Sequence, residues 1–311
     1  MIKRIFSGRK CERIVFSHDY YHGMLDAHAN AAFDAMKFKK IRDLLIAKNL
    51  INRKEILIPG MVSYEDMGLV HTKSYLKRIQ NPLNVAHDLK IDTIDPWDTH
   101  VLEFFRVVAG GTIMAAEFAY AHRCTVFNLG GGFHHAHADR AGGFCLINDV
   151  AIAIRKLQLF RNVGKVLIVD LDYHEGDGNL TIFKNQPEVF TFSIHASDWL
   201  EINKRNNRDI PLPANCSGEQ YMRILQDELP SICAGFLPEI VFYIAGSDPY
   251  EADALGDLNL TREEMLLRNM FVYKCVREHE IPLVVVAGGG YGTESWQIYY
   301  DFIENVLRQR K

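Results

Sequence analysis

Residues 165–178 read Lys165-Val-Leu-Ile-Val-Asp170-Leu-Asp172-Tyr-His174-Glu-Gly-Asp177-Gly, an apolar run that turns into three aspartates and a histidine. Asp170, Asp172 and His174 fall at alternate positions, so a backbone that stays extended projects all three to one side. Carboxylates and an imidazole gathered in one small volume are costly to bury unless a cation neutralises them. Three more segments carry polar groups with no packing purpose: Gly130-Gly-Gly-Phe133-His134-His135, Ala245-Gly-Ser-Asp248-Pro and Ala287-Gly-Gly289-Gly-Tyr291. Each alone has a plainer reading: histidines of a core or surface, a cap before Pro249, a tyrosine after a tight turn. Together they are specific, because a metal held by Asp172 and His174 needs a third ligand from elsewhere, and Asp248 is the obvious one.

The elements that must position these residues alternate. Strands are expected over 12–17, 56–58, 125–129, 166–169, 189–194, 240–245 and 283–287, each a β-branched or aliphatic run. Between them the spacing predicts helices over 31–48, 63–71, 72–79, 99–121, 149–159, 217–232, 261–279 and 294–307, several opened by capping boxes such as Thr261-x-x-Glu264. Gly110-Gly111 inside the helix at 99–121 costs roughly 1 kcal/mol per glycine and points to close packing against a neighbour. Residues 81–97, with two prolines and several acids, read as a loop, with Asp98 placed to cap the next helix. With no linker, repeat or low-complexity tract, the chain reads as one α/β domain over 1–311, three-layered, its mainly parallel central sheet flanked by helices. Open α/β sheets place their sites at the carboxyl ends of such strands.

Bulk properties exclude more than they assign. A net charge of −4 from 35 basic and 39 acidic residues leaves no electrostatic footprint for nucleic acid or an anionic membrane surface. Six scattered cysteines without a C-x-x-C pair read as reduced thiols of a cytoplasmic protein. The basic N-terminus lacks the apolar core of a signal peptide, and no run is long enough to span a membrane. Nothing in the sequence sets an oligomeric state.

Gly130-Gly-Gly-Phe-His134-His135-Ala, Ala141-Gly-Gly-Phe144-Cys145-x-x-Asn148-Asp149, the run from Val169 to Gly178 and Gly288-Gly-Gly-Tyr291 resemble, in order and spacing, the successive signatures of the zinc-dependent histone deacetylase family, which has the arginase/deacetylase fold. The resemblance spans about residues 10 to 308, and Gly110-Gly-Thr-Ile-Met-Ala with Gly-Phe-His-His looks closer to class IV and bacterial members. It implies one catalytic Zn2+, with Fe2+ as an alternative, on Asp172, His174 and Asp248. It also implies proton transfer by His134 and His135, backed by Asp170 and Asp177, and an oxyanion donor in Tyr291. Phe133, Gly143, Phe144 and Gly289 would line the channel for the lysine methylenes. A structural K+ would sit on Asp170, Asp172, His174, Ser193 and Ile194, mainly through backbone oxygens. Asp92, Asp95 or Asp98 would hold substrate at the rim, which His18, Tyr20, Tyr21 and His22 would help to shape.

The resemblance implies hydrolysis of acetyl or longer acyl groups from lysine side chains of peptides or proteins. Acetylated polyamines are an alternative substrate class, since they too present an acyl amide on an aliphatic amine. A two-manganese ureohydrolase of the same fold is a poor match, because Glu175-Gly176 and Ser247-Asp248-Pro249 leave a second metal without ligands. An inactive acyl-lysine-binding scaffold would need a broken site, and every residue of the set is present.

Overall fold

The computed structural model describes residues 11–21, 34, 36–91, 99–196 and 206–309. Eight strands form one sheet: β1 (Arg13–Val15), β2 (Ile56–Leu57), β3 (Thr125–Asn128), β4 (Val166–Asp170), β5 (Val189–Ala196), β6 (Asn207–Leu212), β7 (Ile240–Ile244) and β8 (Leu283–Val286). Their spatial order is β2-β1-β3-β8-β7-β4-β5-β6, and every pairing is parallel. The residues of β3, β4, β7 and β8 are all buried, which is why these strands read as unbroken apolar runs rather than as alternating patterns.

Ten helices accompany the sheet among the described residues: α1 (Lys37–Ala47), α2 (Tyr64–Met67), α3 (Lys73–Arg78), α4 (Pro82–Leu89), α5 (His100–His122), α6 (Asp149–Arg161), α7 (Asp177–Phe183), α8 (Gly218–Phe236), α9 (Arg262–Glu278) and α10 (Ser295–Arg308). Among them α5 packs against α4 and α6, and α9 against α8 and α10. Side chains of Ser63, Thr72, Asn148, Ser217 and Thr261 cap the helix starts as their sequence positions predict. The glycine pair in α5 is explained by close approach: a Cβ on Gly110 would lie 1.9 Å from the carbonyl oxygen of Gly60, and one on Gly111 would lie 1.8 Å from the Tyr20 hydroxyl.

Three readings change. Residues 82–89 are helical, not loop: Asn81 caps the first turn and Pro82 occupies a position that needs no N–H donor. Strand β6 was not expected, since Asn-Arg-Asp-Ile-Pro-Leu has neither an apolar run nor alternation; it lies at the sheet edge, where Pro211 is tolerated. Tyr20 and Tyr21 are buried rather than on a rim, Tyr20 donating to Asn128 Oδ1 at 2.7 Å. His18 is exposed, while His22, Asp92, Asp95 and Asp98 lie outside the described residues.

Candidate active site

The four segments singled out in the sequence leave the carboxyl ends of β3, β4, β7 and β8, which are neighbours in the sheet. Backbone bonds continue the ladder into the loops: Gly288 N donates to Gly131 O at 3.0 Å, Ser247 N to Gly289 O at 2.9 Å and Leu171 N to Ile244 O at 3.1 Å. The strand β4 itself stops at Asp170. Beyond it the chain turns, with Asp170 Oδ1 accepting from Asp172 N at 3.2 Å and Asp172 Oδ1 from His174 N at 3.0 Å. Convergence therefore comes from aspartate-capped turns, not from continued extension.

Asp172, His174 and Asp248 meet as expected, with one ligand atom from each lying within 4.8 Å of the others. His174 Nδ1 is 3.2 Å from Asp172 Oδ1 and 3.2 Å from Asp248 Oδ2. Both carboxylates are buried. Burial and the neighbouring charge of Asp172 push the Asp248 acid up to about 7. Burial would lower the His174 imidazole, yet bonds to the two aspartates raise it to about 10. Two buried acids thus face a gap that favours positive charge, and a nitrogen with two oxygens is a donor set suited to Zn2+ or Fe2+. These residues fit a divalent ion.

Asp170 and Asp177 stand behind the histidine pair, with His134 Nδ1 at 2.8 Å from Asp170 Oδ2 and His135 Nδ1 at 2.7 Å from Asp177 Oδ1. The two rings respond differently. Burial opposes protonation of His134, but Asp170 and Asp172 outweigh it and raise the imidazole to about 9. His135 is pushed down by burial and then by the positive charge of His134.

Residues 31–306 match the histone deacetylase domain. The chain belongs to the histone deacetylase family. It is 30% identical over 305 residues to histone deacetylase 2 of Arabidopsis thaliana, covering 95% of this chain and 79% of that one. An uncharacterized protein of Picosynechococcus is 32% identical over 289 residues, covering 92% and 94%. The acetoin utilization protein AcuC of Bacillus subtilis is 27% identical over 310 residues, covering 91% and 78%. The crystal structure of an HDAC homologue complexed with SAHA superposes with a TM-score of 0.81 at 25% identity, covering 97% of this chain and 85% of that one. The protein is a deacetylase of a metal-dependent family with the expected fold.

In this deacetylase a cavity reaches Asp172 of the candidate metal-ligand set. Gly143, Phe144 and Tyr291 line one part of it with His135, Asp172 and Gly289, and Phe38, Leu89, Ile91, Phe104, Phe105 and Phe133 line the other. Of the lining residues Phe144 is 41% exposed, whereas Phe104 and Phe105 are 3% and 2% exposed. Phe133 packs against Phe105 with ring centroids 4.8 Å apart and the ring planes tilted by 59°. Tyr291 faces Phe144 at 6.2 Å and the His174 ring at 6.4 Å. Gly143 has φ +45°, and a Cβ there would lie 2.0 Å from the His135 ring, so only glycine lets this loop close on the histidine. Its neighbour Phe144 is held at φ 62°, a conformation that stores strain in a residue with a side chain. Among the described residues no helix is long and apolar enough to cross a membrane.

The residues that hold the site in place were mostly not foreseen. Asp149, noted only as part of a motif, accepts from Gly132 N, Phe133 N at 2.7 Å and Thr112 Oγ1 at 2.6 Å, pinning the turn before the histidines. Asn128 and Tyr20 extend this buried chain. Lys37 donates to Gly290 O at 3.2 Å and Asp253 accepts from Tyr291 N at 2.7 Å, fixing the tyrosine loop. Arg268, with 0% exposure, donates to Leu171 O at 2.9 Å and Gly246 O at 2.7 Å. His137 reaches Asp177 from the far side; a third histidine in the Gly130–Arg140 stretch was its only sequence signal. Glycines that permit tight loops announce themselves in a sequence, but a distant arginine or lysine that serves them does not.

Proposed function

We propose that the chain hydrolyses acyl groups from the ε-amine of lysine side chains in peptides or proteins, using one Zn2+, with Fe2+ as the alternative, on Asp172, His174 and Asp248. The observation that carries this reading is the cavity: Phe144 and Tyr291 on its wall, an apolar lining suited to methylenes, and Asp172 of the candidate ligand set Asp172, His174 and Asp248 reaching it. When bound, the ion polarises the acyl oxygen and makes water a usable nucleophile near neutral pH. Tyr291 donates its phenol proton to the carbonyl oxygen as charge develops there. His135, kept neutral by burial and by His134, accepts the proton of the attacking water at Nε2 and passes it to the amine nitrogen as the C–N bond breaks. Asp177 holds the opposite nitrogen of that ring and fixes its tautomer. His134, on Asp170, serves as electrostatic support.

The apolar lining formed by Phe38, Phe104, Phe105 and Phe133 is read as an inner compartment with space beyond an acetyl methyl, so chains longer than acetyl belong to the proposed substrate range. A K+ on Asp170, Asp172, His174, Ser193 and Ile194 is proposed beneath the site, where Asp170 and Ser193 are register partners on β4 and β5.

A panel of lysine peptides bearing acyl groups from acetyl to myristoyl, with acetylputrescine and acetylspermidine alongside, tests the reading. Turnover of the peptides is expected, abolished by a chelator and lowered on the order of 10²- to 10³-fold by Tyr291→Phe. Preference for the free polyamines would replace the substrate class, and undiminished Tyr291→Phe would remove the oxyanion role.

A further inference from the structure

Asp177 is shared by two histidines. Its Oδ1 takes His135 Nδ1 at 2.7 Å and its own neighbour Gly178 N at 3.0 Å, while Oδ2 lies 3.1 Å from His137 Nε2. His137 is itself buried, with 4% exposure, and is held on both sides. Its Nδ1 is 2.7 Å from Thr181 Oγ1, and Arg140 Nη2 lies 3.1 Å from Nε2. Its backbone N–H donates to Arg140 O at 2.9 Å, closing the loop on itself.

Counting protons limits how this group can be arranged. Thr181 has one hydroxyl proton, and Gly178 O lies 3.0 Å away to receive it. Given instead to His137 Nδ1, 2.7 Å away, that proton leaves Nε2 of the neutral ring as the N–H donor facing Asp177 Oδ2. The ring is tethered to α7 through Thr181 and to the loop through Arg140.

A carboxylate with one oxygen bonded can still rotate about its Cβ–Cγ bond. Fixing the second oxygen sets the plane of the carboxylate, and through it the direction from which Oδ1 meets His135 Nδ1. We propose that His137 is a positioning residue of the deacylation reaction, holding Asp177 by Oδ2 so that His135 presents Nε2 to the cavity in one orientation. This rests on the reading of His135 as the proton-transfer group. An interior histidine held only for packing would make the same contacts with its neighbours, but it would not need a donor at this one nitrogen.

The experiment compares His137→Leu, His137→Gln and His135→Ala on one acylated lysine peptide, with thermal unfolding midpoints measured alongside. His137→Leu is expected to lower kcat on the order of 10- to 100-fold with KM within about twofold. His137→Gln, whose amide N–H can reach Oδ2, is expected to recover most of that loss. In an Asp177→Asn background, His137→Leu is expected to add little, because the carboxylate it orients is already gone. Equal losses in the Leu and Gln variants, or a full additional loss in the Asp177→Asn background, would overturn the positioning role. If His135→Ala retains full activity, the proton-transfer reading fails; if His135→Ala is inactive and His137→Leu is unimpaired, only the role of His137 fails.

Discussion

Arg268 and Gly246 are joined at 2.7 Å, guanidinium to carbonyl, two positions before the ligand Asp248. The same guanidinium holds Leu171 O at 2.9 Å, one position before the ligand Asp172. One side chain from α9 thus ties together the ends of β4 and β7, the two strands that deliver the candidate metal ligands. It also donates to the neutral amide of Asn269. Arg268→Met is expected to weaken metal binding on the order of 10- to 100-fold, measured by competition with a chromogenic chelator. Arg268→Lys keeps the charge but lacks the two-armed reach, so it should recover only a small part of the loss. Full recovery by lysine would assign the effect to charge instead of geometry.

Metal loading should expel protons. With His174 raised to about 10 and Asp248 to about 7 in the unliganded site, both carry protons over part of the neutral range that a ligand cannot keep. Apparent affinity should therefore rise with pH up to about 10, and more steeply below about 7, where two protons must leave. Calorimetric titration of Zn2+ into the chelator-stripped protein in two buffers of different ionisation heat checks this. Identical heats in both would contradict it.

Stability should carry a signature of His71. This ring is 3% exposed, accepts from Asn148 N through Nε2 at 3.0 Å, and has no partner for Nδ1 among the described residues. Burial lowers it from 6.5 to about 4. Its folded form binds its proton less readily than the unfolded chain does, so its contribution is complete above pH 6.5 and fades as pH falls toward 4. The shift is worth about 3 kcal/mol. His71→Leu should be less stable at pH 7, through the lost acceptor, yet lose less between pH 6.5 and 4.5 than the parent; parallel unfolding curves would be the contrary result.

Acyl length should respond to the inner compartment. Leu89, on α4, lines it and is 5% exposed. Leu89→Trp is expected to lower kcat/KM for long-chain acyl peptides by at least tenfold relative to the acetyl peptide. Equal effects on all chain lengths would place the long chain elsewhere.

How much of this was legible depends on what each residue signals. The ligands and histidines stand in glycine- and aspartate-rich turns after apolar strands, a contrast visible without coordinates. Seven of the eight strands showed as short apolar runs, the half-buried edge strand β2 among them; β6 did not, because its own residues, Asn-Arg-Asp-Ile-Pro-Leu, carry charges and a proline. Helix α4 was missed because the prolines of its segment were read as breakers, whereas Pro82 stands at the one helical position that suits it. Arg268, Lys37 and His137 were silent for a different reason. Their partners are main-chain carbonyls or an already assigned aspartate far along the chain, and no local pattern records such a bond.

The borders of the sheet have a consequence for the chain in a crowded solution. One border is β2, only two residues long, and the other is β6, which carries Pro211 and exposed Arg208. Long, flat, apolar edges recruit further strands from other molecules, and short edges, prolines and charges suppress that. Among the described residues the eight parallel strands thus end on two borders that are poor templates for strands of another molecule.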